Sequence, residues 1–271
     1  MMRRLYLTFL LVMCSLAALG AEYSVLDSVL VIPAKTKTIP AREFADRDDF
    51  TRVEFAEPCS LMEIGEYAFL GCRNLREIDL PASLRRIGEG AFRECGSLVS
   101  IEIPMGVAAL PRYAFAWCGS LESVSLPRTL ADIGSHSFAY CSSLKEINVP
   151  SRVKHIGSNA FSFCSSLTEI ELPASITELE SYAFSECVSL RKATLPGNNH
   201  LLGELIFSGC RRLESITINS AIPPKFDCNS TLFEPTESPL YQRCRLLVPR
   251  GVITRYRTAP AWNLFKTIDP L

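Results

Sequence analysis

The residues able to do chemistry in this chain are eleven cysteines, three histidines and a recurrent set of serines and carboxylates. Seven of the cysteines, Cys72, Cys95, Cys118, Cys141, Cys164, Cys187 and Cys210, stand 23 residues apart. Thiols so arranged have three uses: disulfides, metal ligation, or burial as small apolar groups. Equivalent positions in stacked strands lie ~4.8 Å apart with parallel Cβ vectors, wider than the ~3.8 Å a disulfide prefers, and an odd row cannot pair completely. A metal needs ligands that converge, whereas these form a line without Cys-x-x-Cys spacing. The row reads as buried, reduced thiols, and no metal or other cofactor is expected.

Catalysis finds as little support. His136, His155 and His200 belong to no Gly-x-Ser-x-Gly or His-Glu-x-x-His pattern, and no glycine loop of the phosphate-cradling kind occurs. Ser97, Ser120, Ser143, Ser166 and Ser189 each precede the same recurring leucine, so they read as turn or cap hydroxyls rather than nucleophiles. The chain is not expected to be an enzyme.

The element that positions all of these is a repeat. Phe69, Phe92, Phe115, Phe138, Phe161, Phe184 and Phe207 keep the period of the cysteines, as do Leu75, Leu98, Leu121, Leu144, Leu167, Leu190 and Leu213. One unit runs Cys72-x-x-Leu75-x-x-Ile78-x-Leu80-Pro81-x-x-Leu84-x-x-Ile87-Gly88-x-x-Ala91-Phe92. Leu75, Ile78 and Leu80 alternate as a short strand that Pro81 ends, because proline has no N–H for the ladder. Ile87, Ala91, Phe92 and Cys95 recur at helical spacing after a glycine, which predicts a short helical or 3₁₀ segment facing the same core. A single coil cannot bury its apolar side; stacked coils can. Seven gapless copies span residues 61–218, and a degenerate copy with Phe44, Phe50, Val53 and Phe55 lies in residues 21–60 together with an N-terminal cap. Residues 219–271 break the period and are expected to cap the other end.

Within that frame the repeat resembles the BspA-like leucine-rich repeat proteins, through Ala-Phe followed by Cys-x-x-Leu-x-x-Ile-x-Leu-Pro, several positions of which agree in seven consecutive units. The C-terminal run Leu247-Val248-Pro249-Arg250-Gly251, with Tyr256, Trp262, Phe265 and Ile268, is similar to the segment that closes many members. The resemblance implies a leucine-rich-repeat solenoid, an α/β-type right-handed coil stack. It further implies a secreted or surface-exposed, adhesin-like scaffold for a protein partner such as a host or extracellular-matrix protein. A structural cell-envelope or self-assembling component is the alternative. Export agrees with residues 1–20: Met1-Met2-Arg3-Arg4, an apolar Leu5 to Leu16, then small residues, the order of a cleaved signal peptide. That run is shorter than the ~20 residues of a transmembrane helix. In an exported chain Cys228 and Cys244 of the closing segment can form a disulfide. With 28 basic against 29 acidic residues and a net charge of −1, the chain has no electrostatic reason to bind nucleic acid.

Two surfaces depart from plain repetition. Before the repeat cysteine stand Gly71, Glu94, Trp117, Tyr140, Phe163, Glu186 and Gly209, with Tyr113 and His136 four residues ahead of two of the aromatics. If helical, Tyr113, Trp117, His136, Tyr140 and Phe163 share an exposed face, which reads either as a partner-binding patch or as rings packed coil to coil. Glu77, Asp79, Glu102, Glu146, Glu169 and Glu171 fall on the outer side of the strands, with Lys192 the one base. This acidic face reads either as a second binding surface, for a basic partner or weakly held calcium, or as a solvated face that keeps the sheet soluble. Near the end, Arg243, Arg245, Arg250, Arg255, Arg257 and Lys266 follow one another with no acid between them.

Overall fold

The structure is a computed structural model and describes residues 23–197, 201–226, 231–233 and 238–271. Most repeats contribute two short strands, and the strands pair in parallel with their equivalents in neighbouring coils, in ladders interrupted where residues 145–149 form no strand. On one side, Arg52 aligns with Glu77, Ser100 with Ser123, Glu169 with Lys192 and Lys192 with Ser215. On the other, Thr38, Glu63 and Arg86 form one ladder. Ala109, Asp132, His155, Glu178, Leu201 and Lys225 form a second. The register is 23 residues throughout the repeats, as the sequence period requires. A register this regular is fixed by burial: Ile64, Ile87, Leu110, Ile133, Ile156 and Leu179 all face inward, and a slip of one residue would turn each of them to solvent.

Between the two sheets the core is a set of parallel columns. Phe44, Phe69, Phe92, Phe115, Phe138, Phe161, Phe184 and Phe207 stack ring on ring, with centroids 5.1–5.9 Å apart. The seven repeat cysteines and the recurring leucines are fully buried beside them. The row of reduced thiols expected from the spacing is present, with an addition. Each Sγ donates to the carbonyl of the phenylalanine one coil back: Cys95 to Phe69 at 3.2 Å, Cys118 to Phe92 at 3.1 Å, and so on to Cys210 and Phe184 at 3.1 Å.

The segment read as helical is not a helix. From Tyr113 to Cys118 the chain makes two successive turns, with Ala116 N–H donating to the Tyr113 carbonyl and Cys118 N–H to that of Phe115. The intervening amides point along the stack: Tyr113, Phe115 and Trp117 donate to the carbonyls of Ser135, Ser137 and Ala139 in the next coil, at 3.1, 2.8 and 2.8 Å. A helix would satisfy these groups within its own coil; here the neighbour satisfies them, and that is what lets a six-residue segment close the coil. Each pair of turns needs two left-handed residues four apart, as at Tyr113 (φ 58°) and Trp117 (φ 62°). The apolar spacing of Ile87, Ala91, Phe92 and Cys95 that suggested a helix is met instead by these paired turns.

Both ends differ from the repeats. The strands Ser24–Leu26 and Val29–Ile32 form an antiparallel hairpin that covers the first parallel edge. At the other end, the segment expected to break the period still adds two strands to the sheet, Arg245–Val248 and Thr267–Pro270, joined by the helix Ile253–Thr258. Tyr241, Tyr256 and Trp262 fill its interior, and Trp262 Nε1 donates to the Pro224 carbonyl at 2.8 Å. Among the described residues no helix is long and apolar enough to cross a membrane. Residues 1–20, read as a signal peptide, and Cys228 of the expected disulfide lie outside the described residues; Cys244 is buried.

Candidate functional site

The turn segments carry two columns of left-handed residues along the stack. In the outer one, Gly71 and Gly209 occupy the position with the conformation glycine adopts freely, while Trp117, Tyr140 and Phe163 hold the same conformation at φ 61–63°. A left-handed backbone costs an ordinary residue ~1–2 kcal/mol, so three bulky rings stand where the local backbone favours glycine. They recover part of this by stacking. Trp117 and Tyr140 lie 5.0 Å apart with 6° between their planes, and Tyr140 and Phe163 lie 4.4 Å apart with 5°. Stacking covers their faces but not their edges, which leaves Trp117, Tyr140 and Phe163 37%, 38% and 39% exposed.

In the second column, Tyr113 and His136 are half-buried and tilted against each other at 4.7 Å. The Arg93 guanidinium sits over both Trp117 (4.7 Å) and Tyr113 (5.6 Å), and Arg112 over Tyr113 (5.5 Å). The five residues read from the sequence as one patch are thus adjacent, although no helix arranges them. Burial, and secondarily the nearby Arg112 charge, pushes the His136 imidazole below its usual range, and its Nδ1 is buried without a hydrogen-bond partner. Arg93 is itself paired with Glu94 at 3.2 Å, and the arrangement offers a flat, ring-rich surface suited to apolar and aromatic contacts and not to proton transfer.

The acidic face is where the pattern placed it, and all six carboxylates are exposed. Arg52 pairs with Glu77 at 3.4 Å and Asp79 at 3.8 Å, and Lys192 pairs with Glu169 at 3.0 Å. Arg52 also pairs with Glu54 at 3.2 Å, so two bases serve three of the six carboxylates, and Glu102, Glu146 and Glu171 have no ion pair among the described residues. Arg52 belongs to the degenerate copy, where the sequence pattern is weakest, and its part in this face went unread for that reason. Glu146, Asn148, Glu171 and Thr194 line a shallow depression of about 710 Å³.

One constellation was missed. On the opposite sheet, His155 Nδ1 lies 2.9 Å from Asp132 Oδ2 and Nε2 lies 3.0 Å from Glu180 Oε1. The other Glu180 oxygen accepts the Ser158 amide at 2.6 Å and its hydroxyl at 2.8 Å. Burial alone would lower the His155 pKa, but the two carboxylates outweigh it and the imidazole is held above its usual range. Glu180 is desolvated as well, yet His155 and Ser158 hold its carboxyl below the usual range. A signal existed: Glu180 stands where Gly65, Gly88, Gly134, Gly157 and Gly203 recur, and a Cβ on Gly157 would come within 2.4 Å of the preceding coil's backbone. His155, Glu178 and Glu180 bring three ligand atoms within 4.8 Å of one another, the grouping best placed to hold a divalent metal among the described residues. Two of the three, His155 and Glu180, are already ion-paired with each other.

The buried thiols are chemically quiet. Burial raises Cys72 and Cys118 to about 12 and lifts Cys95, Cys141, Cys164 and Cys210 well above the ordinary thiol range. A thiol that does not ionise is neither nucleophile nor metal ligand.

Comparison with known families places the fold. The model for the BspA-type leucine-rich repeat region matches residues 24–115 and 108–229, in six copies. The chain belongs to this family. Among solved structures, the T. pallidum leucine-rich repeat protein TpLRR is 31% identical, over 71% of this chain and 87% of that one, with a TM-score of 0.56. The pneumococcal vaccine antigen PcpA, at 19% identity over 90% of this chain and 78% of its own, shares the fold with a TM-score of 0.53. No curated protein matches the chain. BspA-type repeats build a scaffold, and within this member the departures from the repeat are where a specific function has to be sought.

Proposed function

We propose that this BspA-type chain is an exported, surface-exposed scaffold that binds a protein partner and carries out no reaction of its own. The reading rests on one observation. In three adjacent coils an exposed aromatic ring occupies a left-handed position held elsewhere by Gly71, Glu94, Glu186 and Gly209, so Trp117, Tyr140 and Phe163 carry a backbone cost that stacking alone only partly offsets. Tryptophan and tyrosine dominate interface hot spots because they bring large area and few rotatable bonds. Arg93 is paired with Glu94 at 3.2 Å, so Arg112 is the one guanidinium beside the rings without an ion pair among the described residues, and the rings themselves favour a partner surface with an apolar centre. Export rests on the signal-like order of residues 1–20, and the non-catalytic reading on the quiet thiols and the absence of a nucleophile–base pair in the sequence motifs.

The parallel stacking of the rings favours a second reading, in which the ladder serves only to tie coils together in a structural envelope component. Trp117→Gly with Tyr140→Gly separates the two, since glycine suits both backbone positions. Immobilised wild-type chain is expected to retain a surface protein that the double variant releases, with both folded by circular dichroism. Equal capture by both, or concentration-dependent self-association of the wild type in sedimentation with no capture, would replace the binding role with the structural one.

A further inference from the structure

Where the last repeat coil meets the C-terminal segment, an open cavity of about 610 Å³ is lined by Arg191, Arg211, Arg212, Arg243 and Arg245, with Glu214 the one acid in its wall. Two of the five guanidiniums are neutralised: Arg191 by Glu214 at 2.8 Å and Arg245 by Asp269 at 2.7 Å. Arg211, Arg212 and Arg243 have no carboxylate within ion-pair distance among the described residues, and Arg243 donates instead to the Arg211 carbonyl.

The repeat does not call for this cluster. The two residues after the repeat cysteine are Gly96-Ser97, Gly119-Ser120, Ser142-Ser143 and Ser165-Ser166 in the middle coils. There, short side chains bond the coil behind, as Ser142 Oγ does to the Gly119 carbonyl at 3.2 Å. Arg211-Arg212 replace them in the one coil that faces the Arg243 and Arg245 of the closing segment. At the opposite end, Arg73 occupies the same place beside Asp48, whose carboxylate accepts the Arg73 amide at 3.2 Å. No such acid accompanies Arg211 or Arg212. Like charges gathered on one wall repel one another, and in a nearly neutral chain that cost is relieved by a bound anion. Planar, weakly hydrated guanidiniums match the oxygen spacing of tetrahedral oxyanions and bind them in bidentate fashion.

We propose that this cavity binds the phosphate or sulfate ester groups of a polyanionic chain. The site is separate from the aromatic ladder and stands or falls without it. Titration calorimetry in 0.15 M salt with three probes of similar length tests it: a heparin-type sulfated octasaccharide, a phosphodiester-linked octamer of glycerol phosphate, and octaglutamate. At least one tetrahedral-anion probe is expected to bind tenfold or more tighter than octaglutamate, and which one binds identifies the source of the ester. Arg211→Ser with Arg212→Ser, which restores the residues of the middle coils, is expected to weaken that binding at least tenfold and to flatten its salt dependence. Arg257→Ser with Lys266→Ser removes equal charge outside the cavity and is expected to leave binding unchanged. If the serine pair perturbs folding, Arg212→Gln alone carries the same test. Octaglutamate binding as tightly as the ester probes, no binding by any probe, or equal weakening by both double variants overturns the proposal.

Discussion

The thiol of Cys118 lies 3.1 Å from the carbonyl oxygen of Phe92, one coil back, and that same oxygen also accepts the amide of Cys95 at 3.2 Å. The second lone pair of a buried carbonyl is thereby used, and it is the repeat cysteine that uses it. Cys118→Ala is expected to lower stability by about 1–2 kcal/mol, from the lost bond plus a small void. Urea denaturation of the variant against wild type measures this; an unchanged midpoint would mean the sulfur acts as filler only.

The same burial predicts silence toward alkylating agents. At pH 8 and below the unfolding transition, Cys118 is expected to react with iodoacetamide at least a hundredfold more slowly than in denaturant, as followed by peptide mass spectrometry. Fast labelling in the native state would show that the coils open locally far more readily than a packed stack should.

Ser137 occupies the place that Ala68, Ala91, Ala114, Ala160 and Ala183 hold in other coils, and its buried hydroxyl has no hydrogen-bond partner. Ser137→Ala is therefore expected to stabilise the protein by about 1 kcal/mol, because it removes a desolvated polar atom without leaving a void. A lower melting temperature for this variant would contradict the account.

His155 and Glu180 together set a pH window. The raised imidazole contributes stability in full below its ordinary value of 6.5, and loses that contribution as pH rises through the higher folded value. Glu180, whose carboxyl is depressed below 4.5, contributes above that value and loses it as pH falls through the lower folded one. The difference in urea midpoint between wild type and His155→Ala is thus expected to be greatest between about pH 4.5 and 6.5 and to shrink toward pH 9. A difference that stays constant over this range would point to packing, not charge.

Trp117→Ala and Trp117→Gly both remove the ring, but only glycine relieves the left-handed backbone at φ 62°. The glycine variant is expected to be the more stable of the two by about 1 kcal/mol. Equal stabilities in thermal melts would show that the turn relaxes around alanine.

The architecture was legible because it is periodic: Cys, Phe and Leu at a fixed 23-residue spacing dictate stacked coils whatever the local conformation. The turn segment was not, since Tyr113 and Trp117 are four apart in a helix and equally four apart as the two left-handed residues of paired turns, and residue types alone do not separate these cases. The exposed patch survived that misreading because both geometries put the same residues side by side along the stack. His155 was passed over because Asp132 and Glu180 are 23 and 25 residues away, within no motif. Only the glycine displaced by Glu180 marked the place.

Coils are bonded in both directions: turn amides such as Phe115 N–H reach forward to Ser137, and thiols such as Cys118 reach back to Phe92. Tension along the long axis therefore loads every junction in series rather than concentrating at one weak seam. Stretched between its termini, such a molecule should give way rung by rung, each release paying out 23 residues, or roughly 80 Å of slack chain. Any pull borne along the stack would be met by graded extension instead of a single rupture.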